Sequence, residues 1–164
     1  MQRRAALLSL WALALPLAGC GFELRQPPPL PFRSIALVGF RPESPLRAVL
    51  RAELERAGVA LREMPGQADA VFDVLADTRD KTVAASTAFG QVRELQLRVR
   101  LRFRVATPGG RLLLPPSDLL LTRDMSYNET DALAKQQEEA LLYRALDEDI
   151  VAQVLRRLAS LPPA

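Results

Sequence analysis

The residue types that carry most protein chemistry are scarce in this chain. It has no histidine and a single cysteine, Cys20, so the usual zinc, copper and haem ligand sets cannot be assembled. Serine and cysteine nucleophiles that depend on a histidine base are excluded for the same reason. We therefore expect no metal, no cofactor and no catalytic residue, and the remaining chemistry belongs to the one thiol and to charged side chains.

Cys20 stands at the end of an apolar segment of the kind that directs export. Two arginines near the N terminus precede residues 5–17, which are apolar except for one serine and one proline. This run is too short to span a bilayer comfortably, since spanning takes about 20 helical residues. Residues 17–20, Leu-Ala-Gly-Cys, resemble the bacterial lipobox, in which the chain is cut before the cysteine. We predict that residues 1–19 are a signal peptide that is removed, and that Cys20 is acylated and anchors the chain at a membrane.

The predicted mature chain is a single, nearly neutral domain on a tether. Removing the signal peptide takes two arginines away, so 22 basic residues become 20, against 19 acidic residues. This balance does not point to a nucleic-acid partner. Residues 20–32 contain the lipidated cysteine and four prolines, which favour an extended spacer. Residues 33–161 are long enough to form one domain with its own core.

The clearest charged pattern is a row of arginines along a predicted strand, residues 92–106, where apolar and polar residues alternate. Side chains two positions apart point to one face and lie about 6.7 Å apart, so guanidinium groups in a row can hold phosphates or carboxylates. The alternative is a solvated face on which each arginine pairs with a neighbouring acid, at about 0–1 kcal/mol a pair. The row is Arg98, Arg100, Arg102 and Arg104, and the acids considered are Asp73, Asp77 and Asp124.

The densest acidic group does not suggest catalysis. Asp147, Glu148 and Asp149 are consecutive, and consecutive positions of a helix point in different directions. The dipeptide at residues 126–127, Ser-Tyr, has no partnered base. A periplasmic enzyme that uses a carboxylate pair is the alternative considered, and we expect instead that the protein is not an enzyme.

The elements that position these residues follow from hydrophobic periodicity. Their predicted order is strand-helix-strand-strand-strand-helix, with bounds near 34–40, 44–58, 70–85, 92–106, 118–127 and 130–160. The first two strands are joined by a helix and should be parallel, whereas the later strands should be antiparallel. We predict an α+β fold, a four-stranded mixed sheet with both helices packed on one face, which leaves the arginine face open.

The same hydrophobic periodicity predicts which side chains of each strand and helix are buried. In the second strand, the side expected to meet the helices is Phe72, Val74 and Ala76, and the side expected to be open is Asp73, Asp77 and Arg79. The last helix should bury a stripe of Leu142, Leu146, Ile150, Val154 and Leu158, widened by Leu141, Ala145, Val151 and Leu155.

Short motifs in the expected order resemble the LptE family, the lipopolysaccharide-assembly lipoproteins of the Gram-negative outer membrane. Residues 20–25, Cys-Gly-Phe-Glu-Leu-Arg, are similar to the start of the mature family sequence. Residues 123–128, followed by Ala-Leu-Ala-Lys at residues 132–135, are similar to its fourth strand and last helix. Gly90, Gln91 and Glu94 fit the segment before the long strand. The resemblance covers nearly all of the mature chain.

The resemblance implies a partner, a ligand and a location. Family members form a heterodimer with the outer-membrane β-barrel LptD, act as a plug in its lumen, and help lipopolysaccharide reach the outer leaflet. A wide barrel has a polar lumen, which suits a folded domain with charged faces. Gly21 after the cysteine implies, by analogy with enterobacterial sorting, an outer-membrane anchor that faces the periplasm. The alternative is an anchored accessory lipoprotein of another lipid-transport or barrel-assembly complex.

The resemblance also implies ligand-binding residues, because the phosphates of lipid A call for cations. Lys135 falls on the lysine of the Ala-Leu-Ala-Lys motif and is the first candidate. The alternative is a solvated helix lysine paired with Glu138 or Glu139. A second basic position of the family falls near Ala88 here, so its replacement must come from elsewhere. The candidates for that replacement are Arg93 and the row residues Arg98, Arg100 and Arg102.

Overall fold

A five-stranded mixed sheet carries two helices on one of its faces. The computed structural model describes residues 29–162, so Cys20, the predicted signal peptide and most of the predicted tether lie outside the described residues. The strands are β1 (Ser34–Val38), β2 (Ala60–Arg62), β3 (Ala70–Ser86), β4 (Val92–Ala106) and β5 (Leu112–Ser126), and the helices are α1 (Pro45–Arg56) and α2 (Ala132–Ala159). Among these described residues, no helix is both long and apolar enough to cross a membrane.

The sheet order is β2-β1-β3-β4-β5. β1 runs parallel to β2 and β3, whereas β3, β4 and β5 are antiparallel, as the connections predict. The α+β class and the placement of the helices are confirmed, but the prediction of four strands is wrong. The extra strand, β2, has three residues, which is too short to show an alternating period in the sequence.

Helix α1 begins as its sequence predicts. The side-chain oxygen of Ser44 accepts a hydrogen bond of 3.3 Å from the backbone N–H of Arg47, and a proline occupies the first turn. Its buried residues are Leu46, Leu50 and Leu54. These leucines are spaced by four, so they form one face that packs on the sheet together with α2.

The core lies between this helical layer and the alternate apolar residues of β4. Phe72 of β3 stacks on Phe103 of β4 with ring centroids 4.6 Å apart. In α2 the predicted stripe is largely correct, with Leu146, Ile150, Val154 and Leu158 fully buried. Three residues of α2 differ from the predicted stripe. Leu141 is 62% exposed, and the helix buries Tyr143 and Asp147 in its place because these residues meet a polar part of β3.

A bulge in β3 reverses the predicted faces of its second half. The register with β4 shifts between Val74 and Ala76, so Ala76 lies opposite Arg102 on the open face. Asp77 and Arg79 then lie opposite buried residues of β4 and face the helices, contrary to the prediction. One extra residue is enough to invert every later side chain, because strand side chains alternate with a period of two.

Gly39 allows the chain to leave β1 close against this bulge. Its φ is +80°, and a Cβ built on it would lie 2.3 Å from the carbonyl oxygen of Val74. No larger residue fits there without moving the backbone, so the glycine is required for both conformation and space.

Strand β5 begins earlier than predicted, at Leu112 instead of residue 118. Pro115 and Pro116 lie within it, in a bulge between the pairs Phe103–Ser117 and Val105–Leu114. Prolines cannot donate to a ladder, but β5 is an edge strand, where the missing donors would face solvent. The prolines therefore interrupt the strand without ending it.

The two ends of the long strands differ in character. At one end, Phe32 is buried and Asp69 accepts hydrogen bonds from the backbone N–H groups of Arg33 and Ser34, beside the β4–β5 turn. At the other end, β3 and β4 extend past the core to an exposed turn at residues 87–91. We call this second end, made of residues 87–91 with Arg93 and Lys135, the distal end.

Candidate functional site

Most arginines of the row are held by partners on the open face. The Nε of Arg104 donates to Asp73 at 2.7 Å, and the Nε of Arg100 donates to Asp118 at 3.0 Å. The Arg100 guanidinium holds the pKa of Asp118 below its usual value. Arg98 donates to the side-chain oxygen of Gln96 at 2.8 Å, which is a neutral partner.

Arg98 and Arg102 are the row residues without a salt bridge to a described residue. Neither of them has a carboxylate within 4.0 Å among residues 29–162. By register, the same face also carries Asp73, Asp80, Glu94, Asp118 and Asp124, so positive and negative charges are nearly balanced on it. The face is therefore polar and water-compatible.

Lys135 and Arg93 both lie toward the distal end, apart from the row. Lys135 donates to the Oγ of Ser126 at 3.0 Å and to Glu138 at 2.7 Å. Ser126 is the register partner of Glu94, the residue next to Arg93. Arg98 lies five residues further along β4, which is about 17 Å. The five predicted ligand residues thus form two groups, the distal pair and the open-face row.

The distal end also exposes apolar residues that the sequence analysis did not single out. Phe89, in the turn between β3 and β4, is 93% exposed, the largest exposed fraction among the large apolar side chains of the described residues. Val83 on β3 and Leu133 at the start of α2 are also exposed. A phenylalanine beside Gly90, between two strands, was the available signal, since apolar aromatics are unusual in hairpin turns.

The polar residues of β3 that face α2 form a buried cluster. Arg79 donates to Asp147 at 2.5 Å and lies over the ring of Tyr143, with 4.4 Å from its guanidinium carbon to the ring centroid. Asp77 is buried beside them, with the Nε of Arg41 at 3.6 Å. Burial raises the pKa of Asp147, while the hydrogen bond from Arg79 opposes this shift. The cluster forms because the β3 bulge turns Asp77 and Arg79 inward, and strand alternation alone does not predict that bulge.

The three consecutive acids of α2 do not form a catalytic pair. Asp147 points to Arg79 on β3, whereas Asp149 pairs with Arg123 on β5 at 2.8 Å. Within residues 29–162, no three acidic, histidine or cysteine side chains are grouped to hold a metal ion. The charged side chains named here form salt bridges within the described part of the chain.

The fold and these surfaces define a class, a small mixed α+β domain that presents charged and apolar surfaces. The LptE family model, described as lipopolysaccharide-assembly, matches residues 32–158, and the chain belongs to this family. It is 27% identical to the LPS-assembly lipoprotein LptE of Photorhabdus laumondii over 96% of this chain and 87% of that protein. It is 26% identical to the protein of the same name from Pectobacterium atrosepticum, covering 98% of this chain and 88% of that one.

Solved structures share the fold. An uncharacterized lipoprotein B from Nitrosomonas europaea superposes with a TM-score of 0.70 at 25% identity, covering 85% of this chain and 91% of that one. A minor lipoprotein from Acinetobacter baumannii gives a TM-score of 0.66 at 24% identity, covering 83% and 98%. The five-stranded sheet with two helices on one face is thus a fold that solved bacterial lipoproteins also have.

Proposed function

We propose that the protein is an outer-membrane lipoprotein that plugs and supports an LptD-type β-barrel and binds lipopolysaccharide during its insertion into the outer leaflet. Membership of a lipopolysaccharide-assembly family supports the pathway. The role is one of binding, with no catalytic step, no cofactor and no nucleic acid. The protein faces the periplasm and extends into the barrel lumen.

The anchor belongs to the same proposal. Residues 1–19 are removed, Cys20 is acylated, residues 20–32 form the tether, and residues 33–161 form the domain. Several acyl chains on one cysteine retain a domain at a membrane, whereas one chain alone binds only marginally. The burial of Phe32 and the clamp by Asp69 fix the point at which the tether enters the domain.

The observation that carries the ligand proposal is the composition of the distal end. Lys135 and Arg93 are cations at the distal end, where Phe89 exposes almost its whole ring. Cations next to exposed apolar surface suit a ligand that is both phosphorylated and acylated. Arg98, Arg100 and Arg102 of the open face supply further cations, of which Arg98 and Arg102 have no acidic partner within 4.0 Å among residues 29–162.

The barrel proposal is supported by the polarity of the open face. Its charges are nearly balanced in cross-strand pairs, so contact with a wet, polar lumen does not require burying an uncompensated charge. Affinity-tagged protein should bring down a large β-barrel from outer-membrane extracts. Recovery of a different lipid-transport or barrel-assembly complex instead would favour the alternative, an accessory lipoprotein of that complex.

Ligand binding is tested by changing both distal cations. The double variant Lys135→Ala with Arg93→Ala should bind purified lipopolysaccharide at least tenfold more weakly, since each charge-assisted contact is worth about 1.5–3 kcal/mol. The matched control is Arg111→Ala, an exposed cation in the turn at the opposite end of β4. Equal binding by all three proteins would remove the distal pair from the proposal.

A further inference from the structure

Three buried polar atoms in the cluster between β3 and α2 have no hydrogen-bond partner among residues 29–162. They are Oδ2 of Asp77, Nε of Arg79 and Oδ1 of Asp147. The side chains of Asp77 and Asp147 are only 2% and 4% exposed. A buried polar atom without a partner costs about 1–3 kcal/mol, so three in one cluster require a molecular explanation.

We propose that one water molecule is bound in this cluster and hydrogen-bonds to all three atoms. A water molecule accepts from one donor and donates to two acceptors, which matches one N–H and two carboxylate oxygens. Buried waters in proteins typically make about three hydrogen bonds to polar groups that lack other partners. Asp77 and Arg79 are two residues apart on one face of β3, and Arg79 donates to Asp147, so the three side chains are neighbours in one cluster.

Other occupants fit the three atoms less well. A metal cation would be repelled by Arg79, which already neutralises Asp147, and by Arg41 near Asp77. A proton shared between Asp77 and Asp147 would join the two oxygens but leave the Nε–H of Arg79 unsatisfied. A small, neutral ligand that is both donor and acceptor satisfies the full set.

The bound water would join the two elements that hold the base of the projecting hairpin. Asp77 and Arg79 lie on β3 just before it leaves the core, and Asp147 lies on α2. Tyr143 closes the same region, since its hydroxyl donates to the backbone oxygen of Asp80 at 3.0 Å. The water is thus a fixed part of the junction between the core and the distal end.

The test is nuclear magnetic resonance on the full-length protein in detergent, with arginine labelled by nitrogen-15. A long-lived water gives the Nε–H of Arg79 cross-peaks to the water resonance of opposite sign in the NOE and ROE experiments, whereas proton exchange gives the same sign in both. The matched control is the Nε–H of Arg100, which donates to Asp118 at the exposed surface and should show only exchange.

Two results would overturn the proposal. The first is an Arg79 Nε–H that exchanges with bulk water as fast as that of Arg100, or that shows no dipolar contact with water. The second is a carbon-13 titration in which the pair of Asp77 and Asp147 holds one proton at neutral pH, because that proton would occupy the position assigned to the water. Both carboxylates ionised at neutral pH, together with the dipolar contact, support the site.

Discussion

Asp147 and Asp149 are two residues apart on α2, yet their surroundings differ, so we expect different contributions to the free energy of unfolding. Asp147 is buried against Arg79, whereas Asp149 and Arg123 are both about half exposed. Removing one partner of a buried pair leaves an uncompensated charge, whereas exposed pairs are screened by solvent.

Asp147→Asn should therefore lower the free energy of unfolding by more than its control Asp149→Asn, for which the loss should be about 0–1 kcal/mol. Urea denaturation of both variants measures the difference. Equal losses would mean that the Arg79–Asp147 pair is solvated and stabilises the fold no more than the exposed pair does.

Asp69 gives the fold a defined response to acid. Hydrogen bonds from the Ser34 side chain, and then from the backbone N–H groups of Arg33 and Ser34, hold the pKa of Asp69 below 3.8. A lowered folded pKa means that the unfolded chain binds the proton first. The stabilisation is therefore present above about pH 4 and is lost as pH falls through the folded pKa.

Asp69→Asn should remove this part of the acid dependence, so its melting temperature should change less than that of the wild type between about pH 4 and pH 2. Asp131→Asn, at an exposed acid before α2, is the control and should keep the wild-type slope. Parallel curves for Asp69→Asn and the wild type would contradict the assignment.

At the scale of elements, the β3 bulge explains why the positions of the long strands could be predicted from the sequence, but not which side chains of β3 face the helices. Helix caps, the alternation in β4 and the leucine spacing in α1 are local signals, and each is confirmed. The bulge at Leu75 depends on contacts with β1 and β4, and no local pattern marks it. The buried cluster of Asp77, Arg79 and Asp147 was missed as a direct result.

Substitution of Gly39 tests the close contact between the end of β1 and the β3 bulge. Gly39→Ala should destabilise by more than the roughly 1–2 kcal/mol of a left-handed residue, because its Cβ would also collide with the Val74 carbonyl. Gly58→Ala is the matched control, since Gly58 has a similar φ of +78° but open space around it. Equal unfolding free energies would show that β1 can shift away from β3.

The diproline of β5 protects a long free edge. Pro115 and Pro116 interrupt the outer ladder of a 15-residue edge strand, and exposed edges otherwise pair with other chains. Replacing them with Val and Thr should promote self-association of the purified protein, measured by analytical ultracentrifugation. An unchanged monomer would show that the remaining polar side chains of β5 are sufficient protection.

At the scale of the whole molecule, the sequence indicated the family and the anchor more readily than the binding surfaces. The lipobox and the ordered motifs are read residue by residue, and the family membership they suggested is confirmed. The distal end depends on how far β3 and β4 project past the core, which is a property of packing. Phe89 was therefore visible in the sequence but not recognisable as exposed.

The anchor itself is tested at Cys20. Cys20→Ser should abolish incorporation of labelled palmitate and release the protein from outer-membrane fractions, because a serine cannot carry the thioether-linked lipid. A variant of the neighbouring tether, Glu23→Gln, should label normally. Membrane retention of Cys20→Ser at wild-type levels would mean that partner binding alone holds the chain.

The length of β4 sets a distance between the two ends of the domain. The chain enters beside the β4–β5 turn, and the distal end lies at the opposite end of this 15-residue strand, at most about 50 Å away. A bilayer with its headgroups is about 40–45 Å thick. A ligand held at the distal end would therefore lie up to about a bilayer's thickness away from the point at which the chain enters the domain.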